Sequence, residues 1–132
     1  MRLTREMILT SDDLTREEVE VEEWGGSVFV RVMTGSERDI LESRQLMTEG
    51  QPAGERLKNL RALLAVLTTC DENGGAVFVM DDMDAVGHKS SKVLDRLFEV
   101  SLRLNKLREE EVQQLVGESA GGQSADSGSA LP

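Results

Sequence analysis

Three short stretches of this chain hold side chains of the kinds that bind metals or move protons. The first, Asp71-Glu72-Asn73-Gly74, begins like a calcium loop. Such a loop needs oxygen ligands at its first, third and fifth positions and glycine at the sixth. Counted from Asp71, the fifth position is Gly75 and the sixth Ala76. Counted from Thr69, Gly74 takes the sixth position but a threonine fills the first ligand slot. The pattern fails in both registers, and a tight turn explains the residues. The second stretch is the carboxylate cluster Asp81, Asp82 and Asp84. Divalent cations favour oxygen clusters, but so does the start of a helix, where the macrodipole favours acidic side chains. Here the cluster is read as the cap of a brief helix over Met83 to Val86, stopped by Gly87. The third is His88 before Lys89-Ser90-Ser91. Nucleophilic catalysis needs an activated nucleophile, an oriented base and oxyanion donors. One histidine in a polar connector, with no Gly-x-Ser-x-Gly elbow, supplies none of that arrangement, and a serine cap explains the residues.

The remaining chemistry is sparse. The single cysteine, Cys70, excludes an intrachain disulfide and a cysteine-rich zinc site, and reads as a small core hydrophobe. Gly25-Gly26 and Gly74-Gly75 match neither phosphate-binding glycine pattern. No catalytic, cofactor-binding or metal-binding residues are assigned, and no enzyme activity is expected. With 25 acidic and 15 basic residues the formal charge is −10. That balance argues against nucleic acid and anionic membranes as partners, since both select Lys/Arg surfaces. Only three Phe, one Trp and no Tyr are present, too few for a base-stacking platform. No apolar run is long enough to span a bilayer, the first residues lack a signal-peptide core, and a cytoplasmic location is expected.

Elements that would position these residues follow from periodicity. Thr4 to Leu9 is a short helical turn or an edge strand. Glu18 to Trp24 alternates, with Val19 and Val21 on one face and glutamates on the other; Ser27 to Met33 alternates likewise. Joined at Gly25-Gly26, they predict a β-hairpin. Its second strand is apolar on both faces, Val28, Val30 and Val32 against Phe29 and Met33, so it is covered twice or used for contact. Thr34 and Glu37 form a capping-box pattern for a helix to Met47 whose stripe is Ile40, Leu41, Arg44 and Met47; Ser36 with Asp39 is the alternative cap. After the breaker Gly50 to Gly54, Leu57, Leu60, Leu63, Leu64 and Leu67 stripe a helix over Glu55 to Thr69. Ala76 to Met80 is a short strand candidate. Ser90 or Ser91 caps what is expected to be the longest helix, to Leu107, with Val93, Leu97, Val100, Leu104 and Leu107 on one face and a Glu99–Arg103 pair on the other. A last helix is predicted over Glu109 to Val116. The fold class is α+β: a predominantly helical single domain over 1–116 with an N-terminal hairpin and one more short strand. Residues 117–132 are a Gly/Ser/Ala-rich tail expected to be disordered.

Aromatic and Met side chains are enriched at interfaces. Trp24, Phe29 and Met33, with Met80 and Met83, are a candidate contact surface; packing inside the domain is the competing reading. The face of Val93, Leu97, Val100 and Leu104 is a second candidate.

In combination, these pieces resemble the tail assembly chaperones of tailed, siphovirus-type bacteriophages. EVEVEEWGGSVFVRVMTGSERD is similar to that family's acidic strand, Trp-Gly-Gly turn, second strand and capped helix. DENGGAVFVMDDMDAVGHKSSKVLDRLFEVSLRLNKLREEEV is similar to its turn, short strand, acidic mini-helix and long helix. The resemblance implies a non-enzymatic, non-structural viral protein. It would bind the long helical tape measure protein, keep it soluble, and help recruit tail tube subunits. It would act in the infected host's cytoplasm and be absent from the mature virion, with a frameshifted extended form in many members. Self-association is left open. A head–tail connector, a tail terminator or a small acidic adaptor are the alternatives.

Overall fold

The computed structural model describes residues 1–47 and 49–107. The predicted helix over Glu109–Val116 and the predicted tail 117–132 lie outside the described residues.

The N-terminal segment settles as a helix, α1 (Arg5–Thr10), capped by the Thr4 hydroxyl, which accepts from the Met7 N–H at 3.2 Å. The hairpin forms as expected, with different ends. β1 (Arg16–Val21) and β2 (Gly26–Arg31) pair antiparallel, Glu18 opposite Phe29 and Val21 opposite Gly26. Glu22–Trp24 is not strand but a 3-10 turn, ended by Gly25 at φ +83°, a left-handed conformation that glycine adopts without strain.

The capping box is present. The Glu37 N–H donates to Thr34 Oγ1 at 3.1 Å, and Glu37 Oε1 accepts from the Thr34 N–H at 2.9 Å. Two orphan donors are thereby satisfied at the start of α2 (Gly35–Met47). α3 (Ala53–Thr68) starts right after Pro52 and is the central helix. It is buried at every position from 62 to 68, on all sides rather than along one stripe. Its sequence there is apolar up to Thr68, as a helix enclosed by neighbours requires.

The third strand is not where the apolar run predicts it. β3 is Thr69–Cys70, continuing directly from α3 and pairing antiparallel with β2 (Phe29 with Cys70, Val30 with Thr69), so the sheet order is β1-β2-β3. Of the predicted strand Ala76–Met80, only Ala76 makes a bridge, to Cys70. The run then leaves the sheet for a 3-10 turn at Met80–Asp82, with Val77 and Val79 exposed. A two-residue β3 offers too little edge for a longer strand to pair with. α4 (Met83–Gly87) and α5 (Ser91–Leu104) complete the described chain. α5, with 14 residues, is shorter than α3, with 16.

The core has three joined parts. One sheet face, Val19, Val21 and Val30, packs on Val93 and Leu97 of α5. Leu60, Leu63, Leu64 and Leu67 of α3 pack with Met33, Leu41 and Leu107. Ala62, Ala65 and Val66 meet Val86 and Leu94. The Thr68 hydroxyl, buried between α3 and α5, is 2.6 Å from both the Leu64 carbonyl and Ser101 Oγ, so its polarity is met inside the core.

Candidate partner-binding surfaces

The stretches that suggested chemistry hold structural hydrogen bonds. Asp71 Oδ1 accepts from the N–H groups of Asn73 at 2.8 Å and Gly75 at 2.9 Å, which closes the turn. Those backbone bonds hold its carboxyl below its ordinary range. Gly74 sits at φ +87° in that turn. Asp82 Oδ2 accepts from the Val79 N–H at 2.9 Å, so it caps the 3-10 turn rather than α4. His88 Nδ1 lies 2.7 Å from the Asp84 carbonyl, and the Ser90 side chain makes no cap bond to α5. Among the described residues, no group of three or more His, Cys, Asp or Glu side chains is gathered to hold a metal. Cys70 is fully buried, and burial pushes its thiol pKa up, the opposite of an activated nucleophile.

The charged surface is organised across elements. Arg103 turns to Glu17 on β1 in a two-bond fork at 2.9 and 2.8 Å rather than to Glu99 on its own helix. Arg96 makes the same fork with Glu23 at 3.1 and 2.9 Å. The hydrogen bonds from Arg96 lower the Glu23 pKa to about 2. Both forks tie α5 to the hairpin. A third fork is interior: Arg31 binds Glu37 through two 2.8 Å bonds, with only 5% of its side chain exposed.

The predicted contact residues separate into two groups. Met33 is buried in the central cluster, and Val93 and Leu97 are fully buried against the sheet. These three belong to the chain's own core; a partner could reach them only by opening it. Trp24, Phe29, Val100 and Leu104 are half-buried. Trp24, Val100 and Leu104 pack against the valine cluster with one side and keep the other outside.

The exposed apolar surface lies elsewhere. Leu46 and Met47 at the end of α2 are 70% and 72% exposed, although Met47 was expected in the helix stripe. Val77 and Val79 are exposed, as are Leu3, Ile8 and Leu9 around α1. Of these exposed residues, Met47 lines one of two concavities. A groove of about 460 Å³ between α2, α3 and α4 is lined by Leu41, Met47, Leu60, Leu63, Met80 and Met83, with Arg56 at its wall. Arg56 is 8% exposed and donates to the Gln45 carbonyl at 3.3 Å; its buried Nε has no hydrogen-bond partner among the described residues. A more open cleft of about 600 Å³ is formed by Trp24, Phe78, Ala85 and Val86, edged by Glu23, Asp82 and Lys89. Two signals pointed toward these sites: the lone Trp beside a Gly-Gly turn and the methionines around the acidic cluster. Nothing in the periodicity of α2 marked its last turn as exposed. Among the described residues, no helix is long and apolar enough to cross a membrane.

Comparison with known proteins agrees with this architecture. The solved structure of the bacteriophage HK97 tail assembly chaperone superposes with a TM-score of 0.55 at 24% identity, covering 69% of this chain and 85% of that one. At that identity the likeness is one of fold, the same α+β arrangement. No curated protein matches the chain. The family model for phage tail assembly chaperones matches residues 3–114, most of the 132, so this chain belongs to the phage tail assembly chaperone family.

Proposed function

We propose that this chain binds its phage's tape measure protein through the groove between α2, α3 and α4, keeps it soluble, and helps bring tail tube subunits to it. Family membership supports a role in tail assembly. The observation that carries the partner class is the groove's chemistry. Met47, Met80 and Met83 line it over a floor of Leu41, Leu60 and Leu63. Unbranched methionines repack around differing side chains, which suits a client whose helical turns present varied apolar residues. An amphipathic helix laid in a groove is the recognition mode such a surface fits. The acidic body, at −10, keeps the complex dispersed while the client's apolar face is covered. In this reading the protein works in the host cytoplasm and leaves before the virion is complete, without catalysis, nucleic acid or membrane. An extended frameshift product would place the same domain on a longer C-terminal arm.

Co-purification tests the reading. Tagged chain should retain the tape measure protein from the same genome. Met47→Glu, at a position 72% exposed, should weaken retention at least about tenfold, the effect of losing one anchor side chain that the client buries. Failure of the wild-type chain to retain the tape measure protein overturns the function. Retention unaffected by Met47→Glu overturns the groove. Mass spectrometry of virions adds a check: abundant chain in finished particles would favour a connector or terminator.

A further inference from the structure

On the reading that the groove between α2, α3 and α4 holds the tape measure protein, we propose that Arg56 is its specificity residue. It receives a carboxylate from the client, so that the groove selects amphipathic helices with an Asp or Glu at the edge of their apolar stripe. Arg56 stands on α3 one turn before Leu60 and lines the groove with Leu60 and Leu63 of the same helix. It is 8% exposed. Taking a guanidinium out of water is costly unless a counter-ion and hydrogen bonds replace the lost solvent. Arg31, the other arginine buried to that degree among the described residues, meets the requirement through its two 2.8 Å bonds to Glu37. Arg56 does not. Its guanidinium makes one hydrogen bond among the described residues, from Nη2 to the Gln45 carbonyl at a long 3.3 Å. Its Nε is buried without a partner, and no described carboxylate forms an ion pair with it.

The missing partner has a defined chemistry. A guanidinium keeps its charge at any ordinary pH, and its planar fork of donors matches a carboxylate. A small free anion would satisfy that fork but leave the leucine floor and the methionines uncovered. An acidic residue on an amphipathic helix supplies both halves at once. The groove is also polarised. The bond to the Gln45 carbonyl holds Arg56 toward α2, and Arg44 of α2 lines the same space. Asp81 and Asp84, both exposed, line it from the Met80–Asp82 turn and α4. A helix with an acidic side chain on one edge of its stripe and a basic one on the other fits this frame in one direction. Turned end for end, it would set its carboxylate against Asp81 and Asp84 and leave Arg56 uncompensated, a mismatch that discriminates by repulsion as well as attraction. On a chain of net charge −10, basic residues are drawn to much of the surface, so a buried cation in the groove is the feature that fixes register.

Retention of the tape measure protein from the same genome by the full chain, measured over a salt series and beside the Tm of the chain alone, tests this. Arg56→Met keeps an apolar stem in the groove wall and removes the charge. The Tm of the chain alone should stay within about 5 °C of wild type or rise, because no counter-ion is left behind. Retention should fall at least about tenfold, the effect of losing a charge-assisted hydrogen-bonded pair. Arg56→Lys, which keeps the charge and loses the fork, should recover only part. Wild-type retention should weaken as salt rises, and that of Arg56→Met less steeply. Converting the acidic side chains of the retained client helix to amides should weaken wild-type binding and leave the Arg56→Met level unchanged. Retention untouched by Arg56→Met but lost in Met47→Glu overturns the role of Arg56 while the groove stands. A Tm lowered by more than about 5 °C assigns the Arg56 charge to the chain's own fold and also overturns it. A wild-type chain that retains no tape measure protein at any salt concentration overturns the function and this proposal together.

Discussion

Replacing Glu37 by Gln should be the most damaging isosteric change in this domain. The carboxylate does two jobs. It forks onto Arg31 with two 2.8 Å bonds, and it accepts from the Thr34 N–H at 2.9 Å. Arg31 is nearly enclosed and also donates to the Val32 carbonyl at 3.1 Å, while its Nε has no partner among the described residues. Glutamine keeps the shape and removes the charge, leaving a buried guanidinium without its counter-ion. Breaking a fully buried pair from one side costs about 3–5 kcal/mol. The Glu37 side chain is 21% exposed, so water partly replaces the lost charge and about 2–3 kcal/mol is the better figure. For a domain of this size that is roughly 10–20 °C in Tm. Burial opposes ionisation of Glu37, but the Arg31 and Thr34 hydrogen bonds outweigh it, and its pKa is lowered from the ordinary 4.5. The folded value lies below the unfolded one, so the stabilisation is complete above the unfolded value and is lost as pH falls through the folded value. Urea denaturation followed by Trp24 fluorescence, at neutral pH and stepwise into acid, reads both effects. Glu37→Gln should lower the neutral stability and flatten the acid dependence. Arg31→Met/Glu37→Leu, which removes both charges, should recover most of the loss. A Glu37→Gln cost below about 0.5 kcal/mol, typical of a solvated ion pair, would mean that water already screens Arg31 from Glu37.

Three further outcomes follow from the geometry. Leu97→Ala, which opens a cavity between α5 and the sheet, should cost about 2–5 kcal/mol by the same denaturation assay, and Leu97→Asp should not fold. The Glu23 carboxyl should titrate at about 2 by carbon-detected NMR, and Arg96→Ala should return it to the ordinary glutamate range. Cys70, fully buried with a raised pKa, should resist thiol reagents in the folded chain and react once urea unfolds it.

Local signals in the sequence carried the helices and the hairpin. Thr34 and Glu37 announce the start of α2 because a capping box joins residues three apart. Gly25-Gly26 announces the hairpin because φ beyond zero is a property of one residue. β3 gave no such signal: Thr69–Cys70 is strand only because β2 lies beside it, whereas Ala76–Met80 has strand composition and no adequate edge. Arg103 shows the same limit for charges. Its neighbour Glu99 was the local choice, but β1 brings Glu17, 86 positions away in sequence, into better fork geometry. The predicted contact residues divide once the packing is known. Trp24 and the methionines do line concavities, while Val93 and Leu97 fill the core because the sheet takes the centre of the α5 face. The exposed ends of α1 and α2 became visible only once packing left them uncovered.

Holding the tape measure protein in solution is the role proposed for this chain. The direct measurement is the soluble fraction of tape measure protein expressed alone, with the wild-type chain, and with Met47→Glu. Expected are aggregation alone, a soluble complex with the wild type, and loss of that protection with the variant. A tape measure protein that stays soluble by itself, or aggregates equally in the presence of folded wild-type chain, would contradict it.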